Sequence, residues 1–302
     1  MTGATVALLS ATVLIQQVHA EDGFLLRTHS ISQPYIDHDL QNRWFDFGGD
    51  TIINPNSYIR LTQDRPSESG WLWSRFPLPS LHYQIDFEFN VAGKGTGLYG
   101  DGFALWLTKE RAEPGPVFGN RDNFEGLGVF FDTYANSRQS HSFPYVMAML
   151  GDGRTSYDND HDGLANKIGS CEADFRQRDN PTKGRLTYDM NAKTINLKLQ
   201  VNEMDQWNEC FTLFDIKLPT TYFLGFTAHT GEVHDSHDII RVSTSYVNST
   251  QSYKPQVHNN TPPPLNKSGS SWLFKLITAS GIFVGVVVVV YKSTKKNNSR
   301  RF

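Results

Sequence analysis

The chain has 302 residues, 13% aromatic and 20% charged, which is enough apolar material for one large packed domain plus accessory segments and excludes a disordered protein. The formal net charge is -3, and the terminal lysines and arginines flank an apolar run rather than covering a fold. No basic field suits nucleic acid, so nucleic-acid binding is excluded.

Residues 4–15, ATVALLSATVLI, form an apolar core followed by Val18-His19-Ala20, whose small residues suit signal peptidase. A signal peptide of residues 1–20 is predicted, cut after Ala20, although its start lacks the usual basic residue and the first arginine is Arg27. From Phe24 to about Val247 period-two runs and turn clusters predict one large all-β domain, a sandwich of two packed sheets. Tyr83, Ile85, Phe87, Phe89 and Val91 face one side of a strand; Gln84, Asp86, Glu88 and Asn90 face the other. Ile195, Leu197, Leu199 and Val201 likewise point inward, with Thr194, Asn196, Lys198 and Gln200 outward. Further strands are predicted at Phe103 to Leu107, Gly126 to Phe131, Tyr145 to Leu150, Arg185 to Met190, Phe211 to Lys217, Tyr222 to Ala228 and Ile239 to Tyr246. Cys171 and Cys210, the only cysteines, both fall in the segment expected to be lumenal, where oxidation favours a bridge between them.

Residues 248–271 are rich in Pro, Asn and Ser and read as an extended stalk, with sequons at Asn248, Asn259 and Asn266 as glycosylation candidates. Residues 272–291 predict a transmembrane helix, roughly 30 Å long at ~1.5 Å per residue. Trp272 and Tyr291 mark its two surfaces, and Lys292, Lys295, Lys296, Arg300 and Arg301 the cytoplasmic side. The expected topology is a single-pass type I membrane protein with a cytoplasmic tail of residues 292–302.

Three separated stretches bring hard oxygens to the ends of strand-like runs: Gly100-Asp101-Gly102, Asp132-Thr133-Tyr134-Ala135-Asn136, and Asp158 to Gly163. Calcium takes six to eight such oxygens, and carboxylate and amide groups together read vicinal sugar hydroxyls. Asp132, Asn136 and Asp162 supply side-chain oxygens and Tyr134 a carbonyl, so a calcium-dependent sugar site is expected. Asp158 to Gly163 opens like an EF-hand, but its twelfth position is Gly169 instead of a bidentate Glu, and neither flank is helical. A retaining glucanase on a similar sandwich needs paired carboxylates, and Gln84-Ile85-Asp86-Phe87-Glu88 has an amide at the nucleophile position. No catalytic residue is assigned and no enzyme activity is expected.

The stretch from Gly100 to Asn136, GDGFALWLTKERAEPGPVFGNRDNFEGLGVFFDTYAN, resembles the leguminous-type (L-type) lectins of the animal secretory pathway. The similarity continues through SYDNDHDG, the CEADFR around Cys171, the region of Cys210, and HTGEVHDSHDII from His229, covering nearly all of residues 24–247. The resemblance implies a jelly-roll sandwich that binds high-mannose glycans through one calcium ion held by Asp132, the Tyr134 carbonyl, Asn136 and Asp162. By the same implication Asp101 and Asn136 accept bonds from mannose hydroxyls, Gly231, Glu232 and Val233 close the pocket, and Cys171 pairs with Cys210. Two positions depart from the family pattern: Asn159 replaces a sugar-contacting histidine beside Asp162, and Trp71 replaces a serine. Since Asn159 does not titrate, pH-dependent sugar release would fall to His161, His234 or His237, taken as loop histidines.

The function expected is a lectin receptor carrying high-mannose glycoproteins between endoplasmic reticulum and Golgi, its tail, ending in Phe302, engaging vesicle coat proteins. The alternatives are a protein-binding sorting receptor that has lost sugar binding and a glycoside hydrolase.

Overall fold

The computed structural model describes residues 24–136, 142–201 and 206–247. The predicted signal peptide, stalk, membrane helix, tail and the sequons at Asn248, Asn259 and Asn266 lie outside the described residues. Among the described residues no helix is long and apolar enough to cross a membrane.

Among the described residues fourteen strands form in chain order: β1 (Phe45–Gly49), β2 (Ile52–Asn54), β3 (Tyr58–Thr62), β4 (Ser69–Ser74), β5 (Tyr83–Ala92), β6 (Gly102–Thr108), β7 (Glu125–Asp132), β8 (Tyr145–Asp152), β9 (Gly169–Glu172), β10 (Thr182–Asp189), β11 (Thr194–Gln200), β12 (Asn208–Leu213), β13 (Phe223–His229) and β14 (Ser236–Tyr246). They make two seven-stranded sheets. The front sheet runs β1-β4-β13-β6-β7-β8-β9 and the back sheet β12-β11-β10-β5-β14-β3-β2, with antiparallel pairing throughout.

The alternation in β5 is realised residue for residue, its apolar set buried and its polar set half-exposed. Phe87 and Phe89 project into the space between the sheets and meet Phe103, Phe131 and Phe226 of the front sheet. Phe103 and Phe131, on neighbouring strands, stack at 4.4 Å. Full burial of each such side chain contributes roughly 1.5–3 kcal/mol, so this aromatic layer helps to hold the sheets together.

The front sheet differs in having both faces covered. All seven residues of β6 are buried. On its outer side Trp73, Trp106, Phe124, Phe130, Met147 and Tyr157 form a second cluster with Val117 and Phe118. Trp106 donates its indole N–H to Thr227 Oγ1 at 2.8 Å, and Thr227 donates its hydroxyl to the Phe118 carbonyl at 2.6 Å, pinning the segment before β7 to the sheet.

Several predicted boundaries need correction. The strand expected from Phe211 to Lys217 stops at Leu213, because Asp215 has φ 55° and turns the chain. Asn196 and Gln200, expected outward, are buried; Asn196 is satisfied by donating Nδ2 to Thr212 Oγ1 at 2.8 Å. β14 starts at Ser236, three residues before the predicted Ile239, and carries a bulge between Ile239 and Arg241. Strands β1 to β4 and β9 are short and were not among the predicted elements. The disulfide forms as expected: Cys171 on edge strand β9 and Cys210 on edge strand β12 lie 5.1 Å apart at Cα, fastening one sheet to the other.

Candidate carbohydrate and cation site

Pairing of β6 with β7 places Gly102 opposite Asp132, so the segment before β6 and the segment after β7 emerge together at one end of the front sheet. Two bonds stitch them: the Thr133 amide and hydroxyl both donate to the Asp101 carbonyl, at 2.9 and 3.1 Å. Asp132 is buried and accepts the Tyr134 N–H on Oδ1 at 2.9 Å. Burial pushes its carboxyl well above the usual range; the Tyr134 amide opposes the shift, and the charges of Asp162 and Asp101 add to it.

The third stretch folds as two single turns of 3-10 helix, Asn159–His161 and Leu164–Asn166, and not as an EF-hand. Between them Asp162 takes a left-handed conformation, φ 53° and ψ 39°, which buries its side chain. Its successor Gly163 is obligatory: at φ 71° an added Cβ would lie 2.1 Å from Met147 Cε and 2.7 Å from the Tyr157 ring. Asp162 Oδ1 accepts both the backbone N–H and the side-chain Nδ2–H of Asn136, each at 2.9 Å. Asp162 Oδ2 is buried without a protein partner.

A second carboxyl group, that of Asp132, lies close by, and the Tyr157 hydroxyl is held protonated by burial, with Asp132, Asp162 and Asp158 adding to the shift. Two buried carboxylates, one with an orphaned oxygen, fit a hard cation. Among the described residues no three His, Cys, Asp or Glu side chains converge on one point. A cation here would therefore use Asp132 and Asp162 together with the Asn136 amide oxygen and the Tyr134 carbonyl.

Beside this set lies the Asp101 carboxylate, partly open to solvent. Gly231 faces it: a Cβ built there would sit 3.5 Å from both carboxylate oxygens, so the glycine leaves clear the ground over Asp101. Val233 and Tyr134 close on Gly100, whose added Cβ would meet Tyr134 Cβ at 2.7 Å and Val233 Cγ2 at 3.2 Å. Asp101, Asp132, Tyr134, Asn136, Asp162, Gly231 and Val233 thus share one end of the sandwich. Glu232 is exposed beside Gly231, and Asn159 is exposed on the turn three residues before Asp162. Trp71, on β4, lays its ring over Gly48 and pairs in register with Thr227, giving it a packing role within the sheet.

Of the three histidines, one requires correction. His161 is exposed and bonded to Asp158 at 2.8 Å, which raises its pKa. His234 is half-buried and bonded to Asp64 at 2.7 Å. His237 is not in a loop but in β14, fully buried, with Nδ1 2.7 Å from Thr62 Oγ1. Burial, then the charge of Arg176, lower its pKa from 6.5 to about 3. Above pH 6.5 the ring is neutral whether the chain is folded or not. Below it only the unfolded chain takes up the proton, so stability is lost progressively down to about pH 3. Between pH 7 and 5 that amounts to about 2 kcal/mol. Urea unfolding of wild type and His237→Gln at both pH values should show this extra loss in wild type alone; equal losses in the two proteins would refute it.

Two groups carry no signal in spacing. His229 is the last residue of β13, and its Nδ1 lies 2.9 Å from Asp101 Oδ2. Arg176 makes a two-armed ion pair with fully buried Asp235, Nε to Oδ2 and Nη2 to Oδ1, both 2.8 Å. It also donates to the Gly95 carbonyl at 2.9 Å and lies 3.8 Å over the Tyr99 ring, so one side chain ties the approach to Asp101 to the end of the Gly231 loop. Both lie in stretches whose family resemblance is visible, CEADFR and HTGEVHDSHDII, but their pairing depends on the folded chain.

A two-sheet β-sandwich that presents two buried carboxylates, an amide and an open aspartate at one end defines the lectin class of legume type. Residues 22–254 match the legume-like lectin family, and the chain belongs to it. An L-type lectin-like domain-containing protein of Schizosaccharomyces pombe is 42% identical over 213 residues, 70% of this chain and 68% of that protein. Vesicular integral-membrane protein VIP36 of Canis lupus familiaris is 38% identical over 237 residues, 77% of this chain; the match spans 65% of that relative's length. The solved exoplasmic/lumenal domain of VIP36 in its Ca2+/Man-bound form superposes with a TM-score of 0.71 at 37% identity, covering 74% of this chain and 91% of that one. Its metal-free form gives 0.70 at 36% identity, covering 74% and 94%.

Proposed function

We propose that this protein is a calcium-dependent lectin for high-mannose N-glycans, acting as a membrane-anchored cargo receptor in the early secretory pathway between ER and Golgi. The observation that carries the reading is the Asp162 carboxylate, one oxygen spent on Asn136 and the other buried without a partner beside Asp132. The Ca2+/Man3GlcNAc-bound form of the VIP36 domain supports calcium and mannose as the occupants, and the name of that relative supports a vesicular membrane setting. Bound calcium would supply the positive charge that lets both carboxylates stay ionised in a buried place. Asp132 and Asp162 would hold it from two loops, with Tyr134 and Asn136 completing the protein's share. Asn136, kept in place through Asp162, and Asp101 would then accept bonds from vicinal hydroxyls, with Gly231, Glu232 and Val233 walling the sugar and Asn159 at its rim. Transport partners follow from the same reading: glycoproteins on the lumenal side, and vesicle coat proteins at the tail of residues 292–302.

Binding of the full-length protein to a high-mannose glycan array, with calcium and with chelator, tests this beside Asp101→Asn and Asn136→Ala. Calcium-dependent binding to mannose-terminated glycans, lost in both variants, is the expected result. A folded, calcium-loaded protein that binds no glycan would refute the lectin reading and favour a protein-binding sorting receptor.

A further inference from the structure

The His229 imidazole lies on a sugar-site carboxylate, and it belongs to neither of the loops proposed to hold the cation. His229 ends β13 on the sheet that carries the site, with Nδ1 2.9 Å from Asp101 Oδ2. Its backbone is fixed independently: the Asp101 N–H donates to the His229 carbonyl at 3.3 Å, and the strand pairs with Gly102 on one side and Ser69 on the other. The ring is therefore delivered by sheet register and not by loop packing. About a third of each side chain is open to solvent, 38% for His229 and 31% for Asp101, so both remain within reach of a ligand.

We propose that His229 is a positioning residue of the sugar site, holding Asp101 by Oδ2 so that Oδ1 is left, oriented, for the hydroxyls of the bound sugar. This rests on the lectin reading above and adds to it a residue. With Nδ1 as the donor, the ring holds the carboxylate and stops it rotating. Without that donor Asp101 samples other rotamers, and each binding event must order it again.

Asp101 faces the ring from the segment before β6. Ser69 faces it from β4, and the Ser69 amide is itself bound by Asp50 Oδ2 at 2.8 Å. Glu68 precedes Ser69 and is occupied by the Gln63 amide and side chain, and Arg65 lends its carbonyl to the Thr230 hydroxyl. Glu232 is exposed past Gly231. The neighbouring polar groups are thus engaged elsewhere, and the ring is aimed at Asp101.

The test is binding of the Man3GlcNAc oligosaccharide to the full-length protein in saturating calcium, for wild type, Asp101→Asn, His229→Ala and His229→Asn. The asparagine variant keeps a donor near the Nδ1 position. Expected are a roughly five- to tenfold loss for His229→Ala and near-complete recovery in His229→Asn. An unchanged calcium-induced rise in melting temperature shows that both His229 variants remain folded and loaded. If His229→Ala binds like wild type, or His229→Asn is as weak as His229→Ala, the proposal fails while the lectin reading stands. If wild type and Asp101→Asn are alike in binding nothing, both fall.

Discussion

Asp132→Asn is expected to stabilise the calcium-free protein and to abolish its response to calcium. The carboxylate is buried, its pKa is driven up by that burial and by Asp162 and Asp101, and its one recorded bond, from the Tyr134 amide, can be made equally by an amide oxygen. Removing the charge relieves desolvation and repulsion together. Wild type, by contrast, should gain about 2.7 kcal/mol when calcium is a hundredfold above its dissociation constant, a rise of roughly 5–10 °C in melting temperature for a domain of this size. Thermal unfolding of both proteins with calcium and with chelator is the measurement. A variant that melts lower than wild type in chelator would refute the relief of buried charge, and one that still rises with calcium would show that Asp132 is not an ion ligand.

The other large effect concerns Arg176. Replacement by Met leaves Asp235 fully buried with no counter-charge, and an uncompensated partner of a buried pair typically costs 3–5 kcal/mol. Burial already raises the Asp235 pKa while Arg176 opposes the rise, which identifies the guanidinium as the group keeping it ionised. The double variant Arg176→Met with Asp235→Asn should recover most of the loss, since the buried charge is gone. Sugar affinity should fall in both, because the Gly95 carbonyl and Tyr99 ring also lose their anchor just ahead of Asp101. Chemical denaturation of the two proteins decides it: a single variant within about 1 kcal/mol of wild type would mean that the segments hold without the pair.

Legibility in the sequence follows the range of each interaction. The strand from Tyr83 to Ala92 announces itself because one face meets apolar core and the other meets water. β6 and β7 read only as apolar runs, since the segment before β7 and the turns after β8 cover the face that would otherwise be polar. Asn196 and Gln200 mislead for the opposite reason: they are polar, yet neighbouring structure covers them. At the site, Asp132, Asn136 and Asp162 are visible because each lies in a short acidic or amide-rich turn whose composition suits a cation. The Arg176–Asp235 pair spans 59 residues and the His229–Asp101 pair 128, and neither separation corresponds to a local period. Those partners are fixed by which strands become neighbours, a property of the sandwich as a whole.

The placement of β14 gives the sandwich a mechanical direction. Ser236 begins β14 directly after the Gly231 to Val233 loop, and Tyr246 ends it beside the first described residue, donating its amide to the Phe24 carbonyl at 2.9 Å. Eleven residues of strand put roughly 33 Å between those points. Under the proposed function a glycan would pull on one pole while the polypeptide continues from the other, and the load would travel along β14. That strand is flanked by β5 and β3, whose bonds lie across the direction of pull. They are strained together in shear and do not open one after another, so a tethered cargo would tug on the domain along its stiffest axis.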